Sequence, residues 1–266
     1  MRLKSLNGKL VQMVNAAPRL WWPFVSGWLQ RRQNDFVPCV FSNCKRLLQV
    51  PLKEFYESYF YFCEHPQGRH EMNYFLDRLK RKEVFYDIGA FHGAYSTIAK
   101  LKLQKDISLH VFEPLAKNVQ AIRRVCELNG FIDFKINPLA VGDGSPVMGN
   151  VNEQDVMLRL GDTNAMTPMI FSSVSLDEYI ASGNLAPTII KIDVEGFELQ
   201  VLQGGQNCLR QHRPSLWLEV HVEFLAAQKK TANDVLNLLR EMGYTISFFN
   251  DYNSPAGKIS YHVWCE

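Results

Sequence analysis

The sequence predicts an α/β fold built on a mostly parallel sheet that closes with an antiparallel hairpin. From Val84 onward, apolar runs of four to six residues alternate with amphipathic stretches of ten or more, which is the signature of βαβ units. The runs are near-continuous in hydrophobicity, as in strands covered by helices on both faces. Toward the C-terminus the texture changes to "YTISFFND", a turn-rich "YNSPAGK" and "ISYHVWCE", two strands joined by a short loop. Their pairing leaves the last strand antiparallel to its neighbours.

In chain order, residues 1–82 read as a helical N-terminal extension, and residues 83–266 as one domain. The extension shows helical patterns and an aromatic cluster, "FYESYFYF", without strand alternation. Its first 32 residues carry six Lys or Arg and no acid. Asn15, Pro18, Arg19 and Pro23 break the apolar residues there, so no run approaches the ~20 residues of a membrane span. The apolar core from Leu10 to Val14 is too short for a secretory signal, and a cytoplasmic chain is expected. Trp21, Trp22 and Trp28 among the basic residues leave two readings open, a helix lying in a membrane surface or a cap packed on the domain.

The expected strands are "VFYDI", "LHVFEP", "FKINPLAV", "TIIKIDV" and "SLWLEVH". Two helix starts between and after them are marked by capping boxes, in which a hydroxyl and a carboxylate satisfy free amides reciprocally. These are Ser175 with Glu178 in "SLDE", and Thr231 with Asp234 in "TANDVLNLLREMGY", a helix whose left-handed C-cap is expected at Gly243.

Composition narrows the function. A net charge of +2 gives no domain-wide electrostatic footprint for nucleic acid. The six cysteines are scattered without a C-x-x-C pair, so they read as buried thiols of a reducing compartment.

Chemistry concentrates in "VFYDIGAFHGAYS", Val84 to Ser96, where a strand ends in an acid followed by two glycines. Gly89 and Gly93 are expected to let the backbone turn tightly and approach a ligand, since a Cβ at either place would take its space. The dinucleotide fingerprint is G-x-G-x-x-G, whereas this one reads D-x-G-x-x-x-G. Asp87 would repel a diphosphate and welcome an ammonium. Glu113, ending the second strand in "VFEP", stands where an acidic residue takes ribose hydroxyls. An ammonium, a ribose and no phosphate together describe S-adenosylmethionine. The turn "AVGDGS" reads either as an edge of the adenine pocket or as a solvated turn around Asp143.

The segments "VFYDIGAFHGAYS", "VFEPLAKNVQAIRRVCELNG", "VSLDEYI" and "IIKIDVEGFELQVLQGG" resemble, in order and spacing, the motifs of the FkbM family of S-adenosylmethionine-dependent methyltransferases. The resemblance runs from about Val84 to His221 and implies a class I methyltransferase (Rossmann-like) fold with a seven-stranded sheet. It also implies O-methylation of a hydroxyl on a sugar, glycan or secondary metabolite. Apart from a helix, "EMNYFLDRLKRK", leading into the first strand, the extension matches nothing and is expected to shape acceptor binding. Candidate cofactor residues are Asp87, Gly89, Ala90, Gly93, Glu113, Pro114, Ala140 and Asp193.

Methyl transfer is an in-line displacement that needs an aligned and deprotonated acceptor oxygen. Candidate catalytic residues at the fourth and fifth strand ends are Asp193, Glu195 and His221. Alternation is expected to put Asp193 and Glu195 on one face, and Glu219 and His221 likewise. Three readings stay open: Asp193, Glu219 and His221 hold Mg²⁺ or Mn²⁺; His221 is a base steered by Glu219 or Asp193; or the four form a structural network. Lys191 is expected to be a buried partner of one acid. The rival functions are an NAD-dependent dehydrogenase and a catalytically inactive binding protein of methyltransferase fold.

Overall fold

The computed structural model describes residues 35–41, 44, 46–151, 158–159, 167–249 and 260–266. The basic N-terminal stretch and the "YNSPAGK" loop lie outside the described residues. Strands β1 (Phe36–Cys39) and β2 (Leu48–Pro51) pair antiparallel. The chain continues through α1 (Leu52–Glu54), a π-helical turn at Phe55–Tyr59, α2 (Phe60–Glu64) and α3 (Pro66–Arg78). The described part of the extension is therefore not helical throughout, which corrects the sequence expectation. Only Leu48 and Val50 alternate with Gln49 before Pro51 stops the run, too short a pattern to stand out as a strand.

The remaining elements are β3 (Glu83–Ile88), α4 (Ala94–Leu103), β4 (Ile107–Phe112), α5 (Ala116–Asn129), β5 (Phe134–Asn137), β6 (Ala140–Gly142), β7 (Val147–Val151), β8 (Leu158–Arg159), β9 (Thr167–Phe171), β10 (Ser173–Ser175), α6 (Leu176–Ala181), β11 (Ile189–Ile192), α7 (Glu198–Gly204), α8 (Gln206–His212), β12 (Ser215–His221), α9 (Val222–Ala227), α10 (Ala232–Glu241), β13 (Ile246–Phe248) and β14 (Ser260–Cys265). Seven strands form the main sheet in the order β13-β14-β12-β11-β3-β4-β5. β14 runs antiparallel to both neighbours and the other adjacent pairs are parallel, as the sequence predicts. The run "FKINPLAV" divides: β5 joins the main sheet, and after Pro138, which has no amide hydrogen for a ladder, β6 leaves it to pair with β10. Both capping boxes form, at Ser175 and Thr231, and Gly243 takes φ 83° after α10.

Side chains alternate across the sheet into two cores. One face packs Tyr86, Ile88, Ile190, Ile192, Leu216 and Leu218 against α6, α7, α8 and α10. The other packs Phe85, Leu109, Ile189 and Trp217 against α4 and the N-terminal region, through Leu48, Tyr59, Phe75 and Leu76. The chain lays β4 and β5 to one side of β3 and β11 and β12 to the other. The carboxyl ends of β3 and β11 consequently border a switch-point crevice, where such sheets bind ligands. Among the described residues no helix is long and apolar enough to cross a membrane, and all six cysteines are free thiols.

Candidate active site

The crevice opens at the carboxyl ends of β3, β4 and β11. Of the sequence candidates, Gly89, Glu113, Pro114, Ala140, Asp193 and Glu195 line it. Its other walls are mostly apolar and include Phe91, Leu115, Leu139, Val147 and Phe197, whose single apolar side chains carry no signal in the sequence.

Glu113 is held at the end of β4 from both sides. Phe91 donates its amide to Oε2 at 2.8 Å, while Oε1 accepts from the Leu115 amide at 2.9 Å and from Asn118 Nδ2 at 3.2 Å. Burial lifts the carboxyl to about 7 against those hydrogen bonds. Asn118 is thus the side chain that fixes Glu113.

Asp87 departs from expectation. It lies at 0 % exposure behind the wall, on the face of β3 toward the N-terminal region. Its Oδ2 accepts from the Ser96 amide and hydroxyl, and Lys191 Nζ stands 3.6 Å from Oδ1. A cation of the protein, Lys191, already faces this carboxylate. The reason given for Gly89 also changes. At φ 74°, a Cβ built on it would lie 1.8 Å from the Asp193 carbonyl oxygen, so the glycine admits the neighbouring strand end. Ala90 and Gly93 belong to the same turn but sit off the cleft, Gly93 as the left-handed N-cap of α4. Asp143 takes the turn reading, its Oδ1 accepting from the Ser145 amide at 2.9 Å.

At the opposite end of the cleft the strand ends carry a polar cluster. Lys191 donates to the Gly89 carbonyl at 2.7 Å and stands 3.1 Å from Asp193 Oδ2, so it partners both acids. β11 ends at Ile192, hence Asp193 and Glu195 do not owe their common direction to strand alternation. Glu195 takes φ 51° in the turn that follows, and this turn brings its Oε2 to 3.6 Å from His221 Nε2. Glu219 and His221 do share a face of β12; Glu219 Oε1 lies 3.7 Å and Asp193 Oδ1 3.8 Å from the same nitrogen.

His221 is steered by neither candidate named from sequence. Its Nδ1 lies 2.7 Å from Oε1 of Glu198, which is fully buried at the start of α7. Burial works to lower the imidazole pKa, but the Glu198 hydrogen bond and the charges of Glu219 and Asp193 outweigh it and raise it to about 10. With only protein groups around it the ring is biased toward its protonated form. For Asp193, burial likewise opposes ionisation, yet Lys191, His221 and His262 hold it below the ordinary range.

Three further residues belong to this cluster. His262 pairs with Glu219 across β12 and β14 and stands 3.3 Å from its Oε2; Ser260 donates to Glu219 Oε1 at 2.6 Å. Glu71 of α3 accepts from Tyr95 at 2.5 Å and lies 3.7 Å from His262, so the N-terminal region reaches the polar strand ends. The register of a C-terminal hairpin would have found His262; nothing local in the sequence marks Glu71.

A model of the methyltransferase FkbM domain matches residues 87–246. The chain belongs to the FkbM methyltransferase family. This FkbM methyltransferase is 26% identical over 182 residues to the hexuronic acid methyltransferase AglP of Haloferax volcanii, covering 64% of the chain and 72% of that relative. Among solved structures it is similar to an FkbM methyltransferase from Methylobacillus flagellatus, at 19% identity and TM-score 0.47, over 71% of this chain. The chain spans 45% of that protein's length. It is also similar to SMU.1697c of Streptococcus mutans in complex with S-adenosylhomocysteine, at 12% identity and TM-score 0.47, covering 74% and 96% of the two chains. Family membership leaves the dehydrogenase alternative without support.

Proposed function

We propose that the chain transfers the methyl group of S-adenosylmethionine to a hydroxyl of a sugar or glycan. One observation carries this reading: a single cleft has Glu113 at one end and Asp193 with Glu195 at the other, separated by apolar walls. Glu113 receives the ribose hydroxyls, and Leu115, Ala140 and Val147 flank the adenine. The acidic end by Gly89 suits a sulfonium and an ammonium and repels a phosphate. The acceptor then lies over Asp193 and Glu195, beside the N-terminal region. Its oxygen attacks the methyl carbon in line, the C–S electron pair returns to sulfur, and a carboxylate of the cluster takes the hydroxyl proton. The sugar-directed relative supports a glycan acceptor.

The test is calorimetry with S-adenosylhomocysteine, followed by labelled methyl transfer from S-adenosylmethionine to a panel of neutral and uronic acid glycosides. Saturable binding and an alkali-stable ether label are expected. An alkali-labile label would mean that a carboxylate is methylated instead of a hydroxyl. No binding at millimolar ligand would make the chain an inactive binding protein of this fold.

A further inference from the structure

We infer that Asp193, Glu219 and His221, with Glu195 beside them, form a binding site for one divalent cation of the Mn²⁺ type at the acceptor end of the cleft. The candidate ligand atoms of the first three lie within 4.8 Å of one another. His221 is 6 % exposed, and among the described residues its Nε2 has no hydrogen-bond partner. This nitrogen aims at three carboxylate oxygens, which stand back at 3.6, 3.7 and 3.8 Å. Had the cluster closed on an imidazolium alone, one oxygen would sit at the ~2.7–2.9 Å of a charge-assisted hydrogen bond. Oxygens and nitrogens bound at about 2.1 Å to a shared ion lie about 3.0–3.7 Å apart for angles of 90° to 120°. The observed distances from His221 Nε2, 3.6–3.8 Å, lie at or just beyond the wide end of that range.

The surrounding groups are arranged as supports of metal ligands. Glu198 holds His221 by Nδ1 at 2.7 Å, which points Nε2 into the cluster; Lys191 holds Asp193 by Oδ2, which leaves Oδ1 on the His221 side. Ser260 fixes Glu219. A carboxylate–histidine–metal relay of this kind sets the ring direction and raises ligand basicity. Charge argues the same way. Lys191 is shared between Asp87 and Asp193, while Glu198 lies against the ring of His221 and Glu219 against those of His221 and His262. Imidazole with two or three carboxylates suits Mn²⁺ over the purely oxygen-seeking Mg²⁺. A cation there polarises an acceptor oxygen. That consequence rests on the cleft being the methyl-transfer site, but binding itself does not.

The chelator-stripped chain is titrated with Mn²⁺ and the free ion is followed by electron paramagnetic resonance, with S-adenosylhomocysteine affinity measured in parallel. One Mn²⁺ per chain is expected. Glu219→Gln and His221→Gln should each weaken it at least tenfold while retaining affinity for S-adenosylhomocysteine, which shows that they are folded. Asp143→Asn, in the exposed turn, should bind Mn²⁺ as the wild type does. No saturable binding of Mn²⁺, Mg²⁺ or Zn²⁺ at millimolar ion, or unchanged Mn²⁺ affinity in both cluster variants, overturns the site. Failure of S-adenosylhomocysteine alone to bind counts against the transferase reading and leaves the Mn²⁺ stoichiometry to decide this one.

Discussion

Cofactor binding should release a proton from Glu113. Burial lifts this carboxyl from 4.5 to about 7, while the amides of Leu115 and Phe91 and the Asn118 side chain pull the other way. Ribose hydroxyls donate hydrogen bonds, and an ionised carboxylate accepts them most strongly. If the ionised form alone binds, apparent affinity follows the ionised fraction, about ten elevenths at pH 8, one half at pH 7 and one eleventh at pH 6. Binding should therefore weaken about tenfold from pH 8 to pH 6, or about 1.4 kcal/mol. Calorimetry with S-adenosylhomocysteine in buffers of different ionisation enthalpy should find about half a proton released per site at pH 7. Glu113→Gln should bind more weakly at pH 8 and lose the dependence. A flat wild-type affinity from pH 6 to pH 8, or an equal slope in the variant, refutes the reasoning. The same shift acts on stability. The folded pKa lies above the unfolded one, so this contribution is fully present below about 4.5 and is lost as pH rises through about 7.

Asp87→Asn should lower stability by about 3 kcal/mol in a denaturant titration, because it removes one partner of a buried ion pair with Lys191. Wild-type stability with lost cofactor affinity would return Asp87 to the ligand. Gly89→Ala should destabilise by more than about 3 kcal/mol, since a Cβ would lie 1.8 Å from the Asp193 carbonyl oxygen at a positive φ. Its melting temperature checks this, and an unchanged value would mean that the turn can open.

The sheet was legible because most of its strands are near-continuous apolar runs, and two of the helices between and after them start at capping residues, Ser175 and Thr231. Glu113 was legible for a similar reason, as an acid closing such a run. What escaped is non-local. Glu198 reaches His221 from a helix start, and Glu71 arrives from α3, on the other side of the sheet's polar row. Asp87 shows the opposite limit. Its strand position was read from the sequence, but its burial beside Lys191 was not, because that lysine sits one strand away and looked like a partner for any of several acids. The short β1–β2 ribbon has too few alternating residues to announce itself.

The shared core of the N-terminal region and the sheet also has a consequence in time. During synthesis Phe55, Tyr59, Phe75 and Leu76 leave the ribosome early, yet Trp217 and Trp264, which complete their cluster, come from β12 and β14 near the other end of the chain. Contacts so distant in sequence slow folding. Until the last strands arrive, the early aromatic segment has only part of its apolar cover, which makes it a stretch that a nascent-chain holdase should bind and a protease should cut.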